Sequence, residues 1–494
     1  MNTELPPGFL AGCEAEALHR SGAIQPHGAL IVSQGGHVTH VSQNLDQWIP
    51  DAGHFAVGHA LPEPLHSMAA QMEPNAGSRK RWPESLNGVV QMLDVVATRA
   101  PDASLIWELW PSCAKVPGAA DRSEGLVPLS LTGPPPGNAS QLQTAREQLV
   151  HAVLQLSGFA RVMYYLFRED GDGEVVAEAR SGQAFGSYLG LRYPASDIPL
   201  VARELYLRNP WRLIPDANAS SVGVLGQADE PPDLTHSDLR SVSPVHQVYL
   251  ANMGVRASLS LPISVGGQLV ALIAAHHLEP RQLPLDTLEA LARCARAHSL
   301  ALSVYQSGQR MRMVDGLDRR FEPMRQMLRT NNYWMDVWPH WGPWLMHEWS
   351  ADGVTLCIGD LSVSLGVALE TAALQHLDEW FCQRQGELVW PCDSLTRAVP
   401  GQPMTPVAGV LAIRVPLRDG LNLRLYLCRS EYVHTVAWGG QPDKPQERLD
   451  GVLSIAPRRS FERWVEKRLG YCRGWNHEDR LLALRLRELL VREL

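Results

Sequence analysis

No run of about 18 apolar residues occurs anywhere in the 494 residues, and Met1 to Leu10 carries neither a basic segment nor an apolar core. These absences argue against a membrane-spanning helix and a secretory signal, and the expected location is the cytoplasm. Cysteine is sparse and unpatterned: Cys13, Cys113, Cys294, Cys357, Cys382, Cys392, Cys428 and Cys472 include no Cys-x-x-Cys pair. That spacing suits neither a disulfide scaffold nor a zinc site, so reduced thiols and no metal are expected. Positive charge is also short. A net charge of −8 gives no general pull toward nucleic acid, and the one compact basic run, Arg79-Lys80-Arg81, reads as a solvated loop. What remains is an ordinary globular composition, 45% apolar and 19% charged, over a length that suggests about three domains.

Periodicity divides the chain. Ala29 to Val32 and His37 to Val41 read as strands about a Gly35-Gly36 turn, and Ser104 to Leu109 is a further strand. Gly133-Pro134-Pro135-Pro136-Gly137 punctuates as a linker. A second α+β segment follows. Gln141 to Leu156 reads as helix, Arg161 to Phe167 and Glu174 to Ala179 as strands, and Ala257 to Ile263 with Gln268 to Ala275 as a hairpin. Leu285 to about Leu328 keeps helical spacing throughout, the mark of a helix that bridges domains or packs against a copy of itself. The last segment clusters Trp334, Trp338, Trp341, Trp344 and Trp349, which read as core, and closes on an amphipathic helix from Arg480 to Leu494. Such an ending leads us to expect an output segment after it.

The most informative stretch is Pro194-Ala195-Ser196-Asp197-Ile198-Pro199. Each proline fixes its own φ and pushes the residue before it out of the helical region, so Asp197 sits on a short, stiff turn. A helix follows over Leu200 to Asn209, with Leu200, Val201, Leu205 and Leu207 available for an apolar face. By residue type alone Asp197 reads as a helix cap. Pro244 begins another helix that Ser243 could cap, and His246 and Tyr249 share one of its faces. Ser258 and Ser260 project to one side of their strand, with His276 in the partner strand. Adjacent His276 and His277 face opposite sides, which weakens a metal reading. Arg212 and Arg240 can each clamp a carboxylate, the two serines can donate to a second one, and Tyr165, Tyr188, Tyr193 and Tyr206 offer aromatic walls with polar tips. A dicarboxylate, conjugated, nitrogen-rich cofactor would satisfy this set.

Four motifs in order, Ile24-Gln25-Pro26-His27-Gly28, the Pro194 to Pro199 turn, Leu239 to Gly254, and Pro457-Arg458-Arg459-Ser460-Phe461, make the chain resemble the bacterial phytochromes over nearly its whole length. The resemblance implies an α+β fold of three tandem α/β sensor domains joined by long helices. These are an amino-terminal arm over 1–20, a PAS domain over 21–131, a GAF domain over 138–306 and a PHY domain over 307–494. It also implies a figure-of-eight knot between PAS and GAF, with the arm near Ile24 passing through a loop between about Ala217 and Ser243, and a PHY tongue over about 431–471. It implies a red/far-red photoreceptor holding biliverdin IXα through a thioether to Cys13, switching between Pr and Pfr by C15=C16 isomerisation of ring D. Val245 stands where plant-type members carry their attachment cysteine.

By position the resemblance assigns the Asp197 carbonyl and His246 to the pyrrole nitrogens, Arg212 and Arg240 to one propionate, Ser258 and Ser260 to the other, and His276 to the ring-D carbonyl. Tyr165, Tyr188 and Tyr193 surround ring D, and Met163, Ile198, Tyr206, Ser243 and Tyr249 complete the pocket. Arg458 and Ser460 compete for Asp197, while Trp438 and Phe461 to Trp464 change packing with the tongue. A homodimer, an output domain or response regulator as partner, and no enzyme activity within this chain are implied as well. A histidine kinase is the usual continuation. Two other readings stay open on the residues alone: a thiol enzyme using Cys13 with His27 or His246, and a bilin-free PAS/GAF sensor or dimerisation scaffold.

Overall fold

A pair of glycines sets the first hairpin. Gly35 and Gly36 take φ of +58° and +80°, left-handed values that a two-residue hairpin turn needs and that other residues resist. The computed structural model describes residues 17–112, 133–226, 230–330, 334–384, 386–417, 421–442, 446–449, 452–455 and 461–493. The chain divides into two compact units. One is Met1–Gln306 together with Ala437–Trp464; the other is Ser307–Val436 together with Val465–Leu494.

In chain order the strands of the first unit begin with β1 (Ala23–Ile24), β2 (Ala29–Gln34), β3 (His37–Ser42), β4 (Arg79–Asn87), β5 (Met92–Arg99) and β6 (Leu105–Pro111). They continue with β7 (Arg161–Phe167), β8 (Gly173–Arg180), β9 (Arg192–Tyr193), β10 (Arg212–Ile214), β11 (Val222–Gly226), β12 (Ala257–Val265) and β13 (Gln268–His277). One sheet runs β1-β11-β3-β2-β6-β5-β4 and a second runs β10-β12-β13-β7-β8-β9. Beyond β9 the second sheet is extended by Trp438, which pairs in parallel with Arg192. This mixed architecture agrees with the α+β expectation.

The order of the first sheet has one consequence that local pattern does not reveal. Strand β11 comes from far along the chain, yet it is the neighbour of both β1 and β3. On one edge the arm pairs Ala23 with Gly223 and Ile24 with Val222. On its other edge Gln25 N donates to Leu239 O (2.7 Å) and Ser241 N to Ala23 O (3.0 Å). Ile24 is fully buried between these limbs. The arm therefore passes between two parts of one loop, as the knot expectation requires.

Arg79-Lys80-Arg81 is not a solvated loop. It opens β4, where Arg79 donates to Asp238 (2.6 Å) and Arg81 to Asp94 and Asp286. Asp94 and Asp238 are buried, and a buried carboxylate needs a cation in contact. Asp238 and Asp286 are remote in sequence, so the run looked merely exposed. Strands β4 and β5 were likewise not anticipated.

The helix Leu285–Thr330 has 46 residues, about 70 Å at 1.5 Å per residue. In the second unit a sheet of five strands among the described residues carries the helices Trp334–Glu348 and His477–Glu493. Trp338, Trp341 and Trp349 are buried there, and Trp349 donates to Asp479 O at 2.9 Å. The reading of these tryptophans as core holds.

Candidate functional site

The six-residue turn around Asp197 is rigid for a reason beyond its prolines. Ala195–Asp197 forms one 3-10 turn, closed by Asp197 N donating to Pro194 O at 2.9 Å. Arg203, one helical turn on, reaches back: its guanidinium donates to Ile198 O (2.8 Å), Gly171 O (2.8 Å) and Ala195 O (3.2 Å). Asp197 does not cap the helix Leu200–Arg208. Pro199 takes the cap position, extended at φ −63° and ψ 160°, and its carbonyl accepts from Ala202 and Arg203. The Asp197 carboxylate is thereby turned to other use: Tyr249 donates its hydroxyl to Oδ2 at 3.2 Å. The expected apolar face of this helix also shifts. Leu200 and Leu207 are exposed, while Ala202, Leu205 and Tyr206 line a cavity.

That cavity is the centre of the first unit, with about 1760 Å³ of atom-free space including its open mouth. The second sheet forms its floor. In β12 Ser260 stands opposite Arg212 of β10, and Ser258 stands opposite His276 of β13. Period two puts these four side chains on one face, and Tyr206 donates to Ser260 Oγ at 3.4 Å. Met163 and Tyr165 of β7 continue the same face, with Tyr165 against Tyr193 at 5.9 Å between ring centroids. Tyr188 closes one side. The guanidinium of Arg161 lies 3.9 Å from its ring centroid, held by an ion pair with the buried carboxylate of Glu178. Arg161 was missed in the sequence, although it stands two and four residues before Met163 and Tyr165 on the same strand face.

The opposite wall is the helix Pro244–Asn252. His246 and Tyr249 stack with ring centroids 6.0 Å apart. Ser243 precedes this helix but supplies no side-chain cap; instead its carbonyl accepts from Gln247 N, and its side chain lines the cavity.

Burial dominates the electrostatics of the cavity's arginines. Burial pulls the Arg212 guanidinium below its ordinary range, and burial plus the neighbouring Arg212 pulls Arg240 down to about 9. Arg212 donates to the carbonyls of Asp238 (3.1 Å), Arg240 (2.6 Å) and Ser241 (2.9 Å). The described hydrogen bonds of Arg240 also go to backbone, at 3.4 Å to Leu234 O and Thr235 O. Two buried cations that repel each other and lean on carbonyl oxygens are arranged for an anion. Burial, then Arg212, lowers His246 to about 4, and burial, Arg161 and His246 lower His276 to about 3, so both imidazoles are neutral at pH 7. His276 Nδ1 is buried without a hydrogen-bond partner among the described residues. A flat ligand with two carboxylates at one end and hydrogen-bonding groups along an aromatic trough fits this donor set.

The segment Ala437–Trp464 borders this site. Trp438 is buried, and Ala437 and Phe461 pack onto the cluster of Tyr165, Tyr193 and Leu272. Phe461 meets Tyr249 edge to face at 5.0 Å. Trp464 is 39% exposed. Cys13, Arg458 and Ser460 lie outside the described residues. His277 turns away to pack on Phe159, and no cluster of metal-ligating side chains occurs among the described residues.

Sheet, loop passage and anion-seeking cavity together define a tandem PAS–GAF sensor unit followed by a second α+β unit. The family models agree: the PAS fold matches residues 13–83, the GAF domain 141–302 and the phytochrome region 322–494. The chain is 32% identical to cyanobacterial phytochrome B of a Nostoc species, over 98% of this chain and 66% of that protein. It is 30% identical to the bacteriophytochrome of Pseudomonas aeruginosa, over 98% of this chain and 67% of that protein. The phytochrome photosensory core module of Stigmatella aurantiaca superimposes with a TM-score of 0.81 at 30% identity, covering 97% of each chain. The chain belongs to the phytochrome family, with the PAS–GAF–PHY architecture of the bacterial photosensory module. It spans about two thirds of the length of these curated relatives. No helix among the described residues is long and apolar enough to cross a membrane.

Proposed function

We propose that this chain is a red/far-red photoreceptor that binds biliverdin IXα covalently through Cys13. The observation that carries the reading is the paired, buried Arg212 and Arg240 opposite Ser258 and Ser260, with neutral His246 and His276 deeper in the same trough. Bound biliverdin would supply the light-absorbing conjugation and the C15=C16 bond whose isomerisation turns ring D. Arg212 and Arg240 would hold one propionate, and Ser258 and Ser260 the other. His246 and the Asp197 carbonyl would face the pyrrole nitrogens, and His276 the ring-D carbonyl. Tyr165, Tyr188 and Tyr193 leave ring D apolar walls against which to turn, with Met163, Ile198, Tyr206, Ser243 and Tyr249 completing the enclosure.

Signalling on this reading is an exchange of partners at Asp197. Its carboxylate already accepts from Tyr249, and Arg458 and Ser460 are the groups that compete for it. Trp438, Phe461 and Trp464 then move as the tongue changes between strand and helix. Leu300 and Val304, one turn apart on the long helix and 68% and 49% exposed, support a homodimer. The partner is an output domain or response regulator, a histidine kinase being the usual form. The chain itself then has no enzyme activity, and it works in the cytoplasm.

The test is optical. Biliverdin added to the protein gives a red-absorbing species that converts under red light, and a zinc-fluorescent band on a denaturing gel that disappears in Cys13→Ser. A colourless, light-insensitive product would overturn the reading. Loss of turnover without any pigment would favour the thiol enzyme instead.

A further inference from the structure

The loop that carries the anion clamp is held from behind by a buried carboxyl that the pigment chemistry does not use. Glu108 lies on β6 of the first sheet and is fully buried. One oxygen, Oε1, accepts from Ser237 Oγ at 2.6 Å and from Leu239 N at 2.9 Å. These two bonds grip the turn at its flanks. Between them stands Asp238, whose carbonyl accepts from Arg212 at 3.1 Å, and immediately after them comes Arg240. Gln25 of the arm reaches the same carbonyl at 3.5 Å. The backbone that orients both clamp arginines thus hangs on Glu108.

The second oxygen makes the arrangement responsive. Glu108 Oε2 and Asp238 Oδ1 are both buried without a hydrogen-bond partner among the described residues. Arg79 contacts Asp238 at 2.6 Å. The charged groups facing Glu108 are therefore Asp238 on the loop, Arg79 on β4 and Arg212 on β10. A buried carboxyl beside a carboxylate that already has its own guanidinium is most stable when it holds a proton. Burial, then the Asp238 charge, pushes the Glu108 carboxyl up to about 7.

We propose that Glu108 is a positioning residue for the Arg212–Arg240 clamp and that a proton held on Glu108 tunes the affinity of the clamp for a carboxylate ligand. Protonated Glu108 leaves the field of Arg212 to the ligand. Loss of the proton places a second anion behind the clamp, where it competes for Arg212 and repels the incoming carboxylate. This rests on the biliverdin reading for the identity of the ligand, but not for the existence of the Glu108 proton.

Two measurements on the full chain test it. The first uses no pigment: the infrared spectrum of the bilin-free protein should show a protonated-carboxyl band that titrates out through about pH 7 and is missing in Glu108→Gln. The second follows biliverdin and its dimethyl ester by quenching of tryptophan fluorescence in a Cys13→Ser background, where attachment cannot mask the equilibrium. Biliverdin should bind about three- to tenfold more weakly at about pH 8.5 than at about pH 6, an effect of one nearby charge. Glu108→Gln keeps an acceptor for Ser237 and Leu239, and should abolish that pH difference while preserving the low-pH affinity. The ester, lacking propionate charge, should show no such dependence.

Glu108→Leu, which loses the grip on the turn, should weaken biliverdin binding at both pH values. A carboxyl band that never appears, or a pH dependence unchanged in Glu108→Gln, overturns the proposal. A chain that takes up no biliverdin overturns the pigment reading, and with it the clamp half of this one, while the infrared band still decides whether Glu108 holds a proton.

Discussion

Tyr249 donates its phenolic hydroxyl to Asp197 Oδ2 at 3.2 Å, joining the start of one cavity helix to the body of another. The two residues are 52 positions apart. Their contact turns a stiff proline-bounded turn into one side of a switch, because Phe461 packs on the same tyrosine ring.

Removing the carboxylate should separate pigment binding from signalling. In Asp197→Ala the arginine and serine cradle is untouched, so biliverdin should still attach. Photoconversion should fail, read as the loss of the light-minus-dark difference spectrum. Full conversion in this variant would show that Asp197 is only a turn residue.

Tyr249→Phe keeps the ring contact with Phe461 and deletes one hydrogen bond to a charged acceptor. Such a bond contributes about 1.5–3 kcal/mol, or about ten- to a hundredfold in an equilibrium. The state with Trp438 paired to Arg192 should lose population by that order, measured as a changed dark-reversion rate. Phenylalanine at this position with wild-type reversion would remove the bond from the switch.

Gly439 is where the Trp438 segment meets the pocket. A Cβ there would lie 2.5 Å from the Tyr193 ring, closer than real contacts allow. Gly439→Ala should lift the segment off Tyr193 and expose it to protease. Limited proteolysis within 437–464 should be at least several-fold faster, on the order of a 1–3 kcal/mol overpacking cost. Equal protection in both proteins would mean the segment does not seat on Tyr193.

Arg240 offers a test with opposite signs. Burial and Arg212 disfavour its charge, so truncation removes a desolvated, repelled cation. Arg240→Ala should leave the ligand-free protein as stable as the wild type or more so, while weakening biliverdin binding by about 10–100-fold, as for loss of a charge-assisted pair. Thermal unfolding of the bilin-free protein and a binding titration measure the two effects.

The neutral histidines set an acid limit. His276 binds its proton at about 3 in the folded protein against 6.5 unfolded. The unfolded chain therefore takes up protons first as pH falls. Stability contributed by the neutral form is full above about pH 6.5 and lost on the way down toward about pH 3, amounting to a few kcal/mol in all. His276→Gln should flatten the pH dependence of unfolding of the bilin-free protein over that window. An unchanged slope would place the acid sensitivity elsewhere, with His246 next in line.

Local patterning was enough for most elements and for the pairing of some cavity residues, while the full set came from the family resemblance. Period two alone put Ser258 and Ser260 on one face with His276 in the next strand, helical spacing put His246 beside Tyr249, and proline stereochemistry made the Asp197 turn stiff. These are consequences of backbone geometry within a few residues, and they can be read without a fold. Charge was legible only where its partner was near. Arg79 and Arg81 looked solvated because Asp238 and Asp286 are more than 150 residues away in the chain. Arg161 and Arg203 looked ordinary because their ring and carbonyl partners are gathered by folding.

The capping role of Asp197 failed for a similar reason: Pro199 claimed the cap, and Tyr249, from a distant helix, claimed the carboxylate. Only tertiary structure could thread Ile24 between the limbs of one loop, set Glu108 behind the clamp, and press two like-charged guanidiniums into one dry cavity. Such energies depend on how much water is removed around each group, and that is decided when remote segments close over it.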